Sequence, residues 1–223
     1  MPSSVPSAAL GGSAGGDLDP ASPHFSGNVL RIPVFRKMWA ALGLASLGDW
    51  LSFLAFAALA RELAGGGAQA ANAAVAVVLI MRLAPALFLA PFAGVVADRL
   101  DRRWAMVIAN AFRALVIFFV PFAENLWVLF VATLLLETAS LFFIPAKEAT
   151  MPNLVPRARL EAANSINLLT TYGAAAPAAV IFIVLAASKG LLGHLFGPPF
   201  GNHITLALWI NGLVLLASAL MIL

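Results

Sequence analysis

The 223-residue sequence contains no cysteine. That removes disulfides, thiolate metal sites and a cysteine nucleophile from consideration at once. Charge is also scarce. Only 10% of residues are Asp, Glu, Lys or Arg, against about 25% in soluble domains. The three histidines, His24, His194 and His203, fall outside the apolar runs, so no histidine metal cluster is expected within them. The formal charge of +3 is too small and too scattered for a nucleic-acid footprint. The first 27 residues are rich in Ser, Gly, Ala and Pro, and no basic segment leads an apolar one, so a secretory leader of the usual pattern is not expected there. Residues 1–30 are expected to form a disordered cytoplasmic tail.

What remains is apolarity. Hydrophobic residues make up 62% of the chain and the mean hydropathy is +0.96. About 20 apolar residues cross a bilayer core. Six such runs are present, near 38–60, 73–97, 104–123, 126–146, 162–187 and 204–223. The expected fold is an all-α membrane protein, a bundle of six transmembrane helices over residues 31–223. Turn and charge signals separate the runs: Gly65-Gly66-Gly67, the 98–103 cluster, Ala123-Glu124-Asn125, Pro152 to Arg159, and Gly190 to Asn202. Pro177 is expected to kink the fifth run.

Basic residues orient the chain. Arg31, Arg36, Lys37, Arg99, Arg102, Arg103, Lys147, Arg157 and Arg159 fall on one side, Arg61 and Lys189 on the other, with Arg82 and Arg113 inside runs. Both termini are therefore expected on the cytoplasmic face of the cell membrane. The last run closes at Leu223 with no basic flank, which suggests either a shortened product or a covered end.

Four ionisable residues, Asp49, Arg82, Arg113 and Glu137, fall near the middle of four different runs. Each costs about 2.5–3.5 kcal/mol at a helix centre. Their charges sum to zero, so mutual pairing can offset that cost. Two readings follow: a polar cavity in which Asp49 or Glu137 titrates, with the arginines as partners or substrate contacts, or buried ion pairs that fix helix register. Asn167 and Thr171 share a small, weakly polar face of the fifth run and are candidates to line the same cavity, although helix packing accounts for that face as well. Gly48 and Ser52 have the spacing of a helix–helix contact, and Asn211 is read as an interhelical hydrogen-bonding group.

Between the second and third runs stands Gly94-Val-Val-Ala-Asp98-Arg99-Leu-Asp101-Arg102-Arg103. The turn resembles the signature between helices two and three of the major facilitator superfamily, Gly-x-x-x-Asp-Arg-x-Gly-Arg-Arg/Lys. Gly94, Asp98, Arg99, Arg102 and Arg103 match it, and Asp101 departs where the family commonly has glycine. Phe35-Arg36-Lys37-Met38-Trp39, Gly48-Asp49-Trp50, Pro145-Ala146-Lys147-Glu148-Ala149 and Pro152-Asn153-Leu154-Val155-Pro156 through Ala163-Asn164-Ser165 are similar to the secretion and drug-efflux branch.

The resemblance covers about 30–223. It implies the first half of a twelve-helix transporter, with six helices in a 3+3 inverted repeat, and proton-coupled efflux of a small molecule by alternating access. It also implies no cofactor, and a cytoplasmic gating motif at Gly94, Asp98, Arg99, Arg102 and Arg103 in which Asp98 latches against a second six-helix half. Besides the lipid bilayer and the substrate, the expected partner is that second half or a second copy. The competing reading is a non-transporting truncated product or an assembly subunit. An intramembrane enzyme is not expected: Gly12-Ser13-Ala14-Gly15 lies in the polar tail, no histidine sits within a run, and Asp98 and Asp101 are too few for a phosphotransferase.

Overall fold

A computed structural model of the chain describes residues 29–97, 100–197 and 202–223. Most of the expected tail, and Asp98 and Arg99 of the turn motif, lie outside the described residues. Among the described residues, seven α-helices follow a short 3-10 turn at Val29–Arg31: α1 Pro33–Leu63, α2 Ala68–Ala97, α3 Arg102–Phe119, α4 Leu126–Leu154, α5 Leu160–Gly173, α6 Ala175–Phe196 and α7 His203–Ile222. Six stretches among the described residues are long and apolar enough to cross a membrane, with α5 and α6 forming the fifth between them.

The helix ends have local causes. Pro33 opens α1, where its fixed φ suits the first turn and its missing N–H has no intrahelical role. After α1, Gly65 takes φ +61°, the left-handed conformation that releases a chain from a helix. Asn125 caps α4 by accepting from the Val128 N–H at 3.1 Å, and Asn202 caps α7 through the Ile204 N–H at 2.9 Å. α4 continues past the apolar run that ends at 146, through Lys147, Glu148 and Pro152, to Leu154. Polarity marks where a helix leaves lipid but does not end it. Val155 ends it, held extended by the following Pro156.

Asp101, the departure from the superfamily pattern, has a defined role. Its Oδ1 accepts from the Trp104 N–H at 3.0 Å and caps α3. Asp101→Ala is expected to cost about 1 kcal/mol, read as a lower midpoint in thermal unfolding of the detergent-solubilised protein. An unchanged midpoint would show that the cap is dispensable.

Pro177 breaks the fifth span. Its ring has no N–H for the Gly173 carbonyl, and the helix divides at Ala174 into α5 and α6.

The pairings carry an internal symmetry. α1 packs along α7 as α4 packs along α3, α2 packs along α4 as α5 and α6 pack along α1, and α3 meets α7. Exchanging α1 with α4, α2 with α5–α6 and α3 with α7 maps these pairings onto one another, while the further α6–α7 contact has no counterpart of its size among the described residues. Each unit has three crossings, an odd number, so the second is upside down relative to the first, as in a 3+3 inverted repeat. Burial is uneven. Half of the most apolar window is buried in α1, α3 and α7, against 17% in α2 and 11% in the fifth span. Close approach holds the α1–α7 seam. A Cβ on Gly48 would stand 2.5 Å from Asn211 Oδ1 and 3.2 Å from Leu215, and Asn211 Nδ2 donates to Ser52 Oγ across the same seam. Gly48 and Ser52 thus make a packing contact, and the lone amide makes an interhelical hydrogen bond.

Candidate functional site

The first four helices each bring one charged side chain to mid-depth. Asp49 of α1 pairs with Arg113 of α3, and Arg82 of α2 pairs with Glu137 of α4 at 3.1 Å between Nε and Oε1. Glu137 also lies within electrostatic range of Arg113, so the two pairs form one alternating chain of four charges. Aromatic faces support both cations. The Arg82 guanidinium lies 5.5 Å from the centre of the Phe53 ring, and that of Arg113 lies 5.9 Å from Phe143. Such contacts add attraction where water is scarce.

The four groups differ in access. Arg113 is 4% exposed, whereas the side chains of Asp49 and Arg82 are 36% and 31% exposed. Arg113 is held from behind. Its NH1 donates to Asn110 Oδ1 at 3.3 Å, Asn110 Nδ2 donates to Ser218 Oγ at 3.0 Å, and Ser218 Oγ donates to the Ala41 carbonyl at 2.7 Å. This line ties α3 to α7 and α7 to α1. Arg113 Nε, buried, has no hydrogen-bond partner among the described residues. Asn110 was not singled out in the sequence, although its place three residues before Arg113 puts both on one helix face.

Asp49 and Arg82 open onto a cleft of about 390 Å³ that is also lined by Trp50, Phe53, Thr171 and Tyr172. A smaller recess beneath it joins Asp49, Arg82, Arg113 and Glu137 with Ser52 and Thr133. Thr171 therefore stands beside the charges, and its backbone carbonyl accepts the Trp50 indole N–H at 2.8 Å. A second indole, of Trp39, donates to Thr170 Oγ1 at 2.7 Å, so two tryptophans of α1 fasten α5. Asn167 is buried in α5, one turn before Thr171, and is not itself among the residues that line the cleft.

Of the turn motif, Gly94 falls in the last turns of α2, and Arg102 and Arg103 open α3. Arg102 NH1 donates to the Ala149 carbonyl of α4 at 2.7 Å, and Arg103 Nε donates to the Ile222 carbonyl of α7 at 2.9 Å. Both arginines staple helix ends within the bundle.

Six membrane-long apolar spans among the described residues, around paired charges at mid-depth, define a multi-pass membrane protein. The chain belongs to the transmembrane secretion effector family of the major facilitator superfamily, whose model matches residues 26–197. It is 30% identical over 141 residues to YfiS of Bacillus subtilis (strain 168), an uncharacterized MFS-type transporter. The match takes in 60% of this chain and 33% of that protein. The chain thus spans about a third of the length of the curated relative it matches. No solved structure matches it.

Proposed function

We propose that residues 31–223 form the six-helix half of a secondary transporter that moves a small molecule outward in exchange for protons by alternating access. The observation that carries this reading is the alternating chain of Asp49, Arg113, Glu137 and Arg82 at mid-depth, with an acid and a base of that chain open to a cleft. A charge paired only for helix register has no need of a path to water. Asp49, at the edge of the cleft, is the proton-exchanging group. Arg113 is its ion-pair partner, Arg82 and Glu137 form the second pair, and Thr171 and Asn167 belong to the helix that faces them. Gly94, Asp98, Arg99, Arg102 and Arg103 gate the cytoplasmic end.

The small buried share of α2 and of the fifth span supports a partner against that face, namely a second six-helix half or a second copy. The basic-residue count supports cytoplasmic termini and residence in the cell membrane. Family membership supports transport over catalysis.

The absence of cysteine gives a clean test. Thr171→Cys places a lone thiol in the cleft. In sealed vesicles a membrane-impermeant maleimide added from one side is expected to label it at a rate that changes severalfold when a pH gradient is imposed. Labelling that never occurs from water on either side would sink the alternating-access reading.

A further inference from the structure

Two cavities meet at the entrance to α3. One, of about 600 Å³, opens among the ends of α1, α3, α4 and α7. Among the described residues its polar lining comprises Lys37, Arg102, Arg103, Thr150, Asn153 and one acid, Asp101. The other, of about 470 Å³, is a groove between α3 and α4 with a floor of Ala105, Ala109 and Ala139 and walls that include Trp104, Phe112 and Phe142. Leu100 and Asp101 line both, so the cavities adjoin.

From these two cavities we infer a binding site for one anionic phospholipid, its phosphodiester in the basic cavity and an acyl chain in the α3–α4 groove. Among the described residues three cations face the first cavity against one carboxylate, and Asp101 Oδ1 is already committed to the Trp104 N–H. Arg102 and Arg103 each spend one nitrogen on a helix carbonyl, which fixes the guanidinium and leaves the other N–H groups to an anion. Lys37 is exposed, with its three donors available. The groove suits a hydrocarbon chain. Its floor is alanine, so a chain can approach the helix backbones, and its rim is bulky. Trp104, 56% exposed, stands one residue past the two arginines, at the depth where indoles favour the headgroup boundary. Three cations at one end and a mainly apolar groove at the other are the two chemistries of a charged lipid. A soluble anion would need the cavity and leave the groove unused.

The test is native mass spectrometry of the full chain in detergent, titrated separately with phosphatidylglycerol and phosphatidylcholine. Phosphatidylglycerol is expected to be retained preferentially. Lys37→Gln removes one cation at an exposed position and is expected to weaken its retention about fivefold, the usual share of one basic side chain near an anionic headgroup. Phe112→Ala removes one wall and is expected to weaken retention with the preference between the two lipids unchanged. Equal retention of both lipids by the wild-type chain, or no effect of either substitution, would overturn the inference. So would displacement of phosphatidylglycerol by inorganic phosphate together with indifference to Phe112→Ala, since the site would then take the anion alone. The readout involves no transport, so a failure of the transport reading leaves this inference standing, and the converse holds too.

Discussion

Arg113→Leu is expected to lower the stability of the bundle by about 3 kcal/mol, and the double change Asp49→Leu/Arg113→Leu to recover most of that loss. Removing one member of a buried pair costs about 3–5 kcal/mol because the survivor is left charged without a partner. The survivor here is Asp49, and its 36% exposure to the cleft keeps the cost at the lower end of that range. Asn110 adds to the loss, because its Oδ1 gives up the Arg113 donor in a buried position. When both charges go, the uncompensated charge goes with them, and two apolar side chains in an apolar surround are close to neutral. Denaturant unfolding of the four members of the cycle in detergent measures the coupling. Additive single and double effects would show that the two residues do not act as a pair.

Asp49→Asn is expected to abolish proton-linked transport while leaving the protein folded. The amide keeps the shape and one acceptor oxygen for Arg113, and Arg113 keeps Asn110, so the packing at the centre survives. The substituted side chain cannot exchange a proton in the accessible pH range, so a step that needs protonation to release Arg113 has no trigger. In proteoliposomes, the internal pH change driven by a substrate gradient should fall to the rate of protein-free vesicles, with expression and monodispersity matching wild type. Unimpaired coupling in the variant would remove Asp49 from the proton path and leave Glu137 as the candidate acid. The two substitutions make different demands. Arg113→Leu is read in stability and Asp49→Asn in coupling, so a purely structural pair would show the first effect without the second.

The spans were legible because lipid imposes one rule on every position within them, and apolarity summed over about 20 residues reports that rule directly. The four mid-depth charges were legible for the converse reason, since an ionisable group in such a run breaks the rule at a known cost. Their partners were not. Neutral total charge leaves both pairings of two acids with two bases open, and the choice depends on how far each helix is rotated, which α2 and α4, apolar on nearly every side, do not encode. Asn110 and Ser218 escaped notice because a single amide or hydroxyl is cheap enough to carry no signal by itself. It matters here because Arg113 lies one turn away. The end of α4 was missed because loss of apolarity at Lys147 reads as an exit from lipid, whereas the helix stops only where Pro156 forbids it. The cap at Asp101 was in plain view as an Asp before a helix, but was read as a lost glycine.

The break at Ala174 has a mechanical consequence. Trp39 and Trp50 grip the fifth span at Thr170 and Thr171, just short of the break, and Pro177 has already withdrawn the backbone bond that would stiffen it there. The span is thus a clamped rod with a compliant joint immediately beyond the clamp. Bending it at Gly173–Pro177 has one backbone hydrogen bond fewer to stretch than bending an unbroken helix, so an elbow's worth of movement in α6 leaves Thr171 and the wall of the cleft where they are.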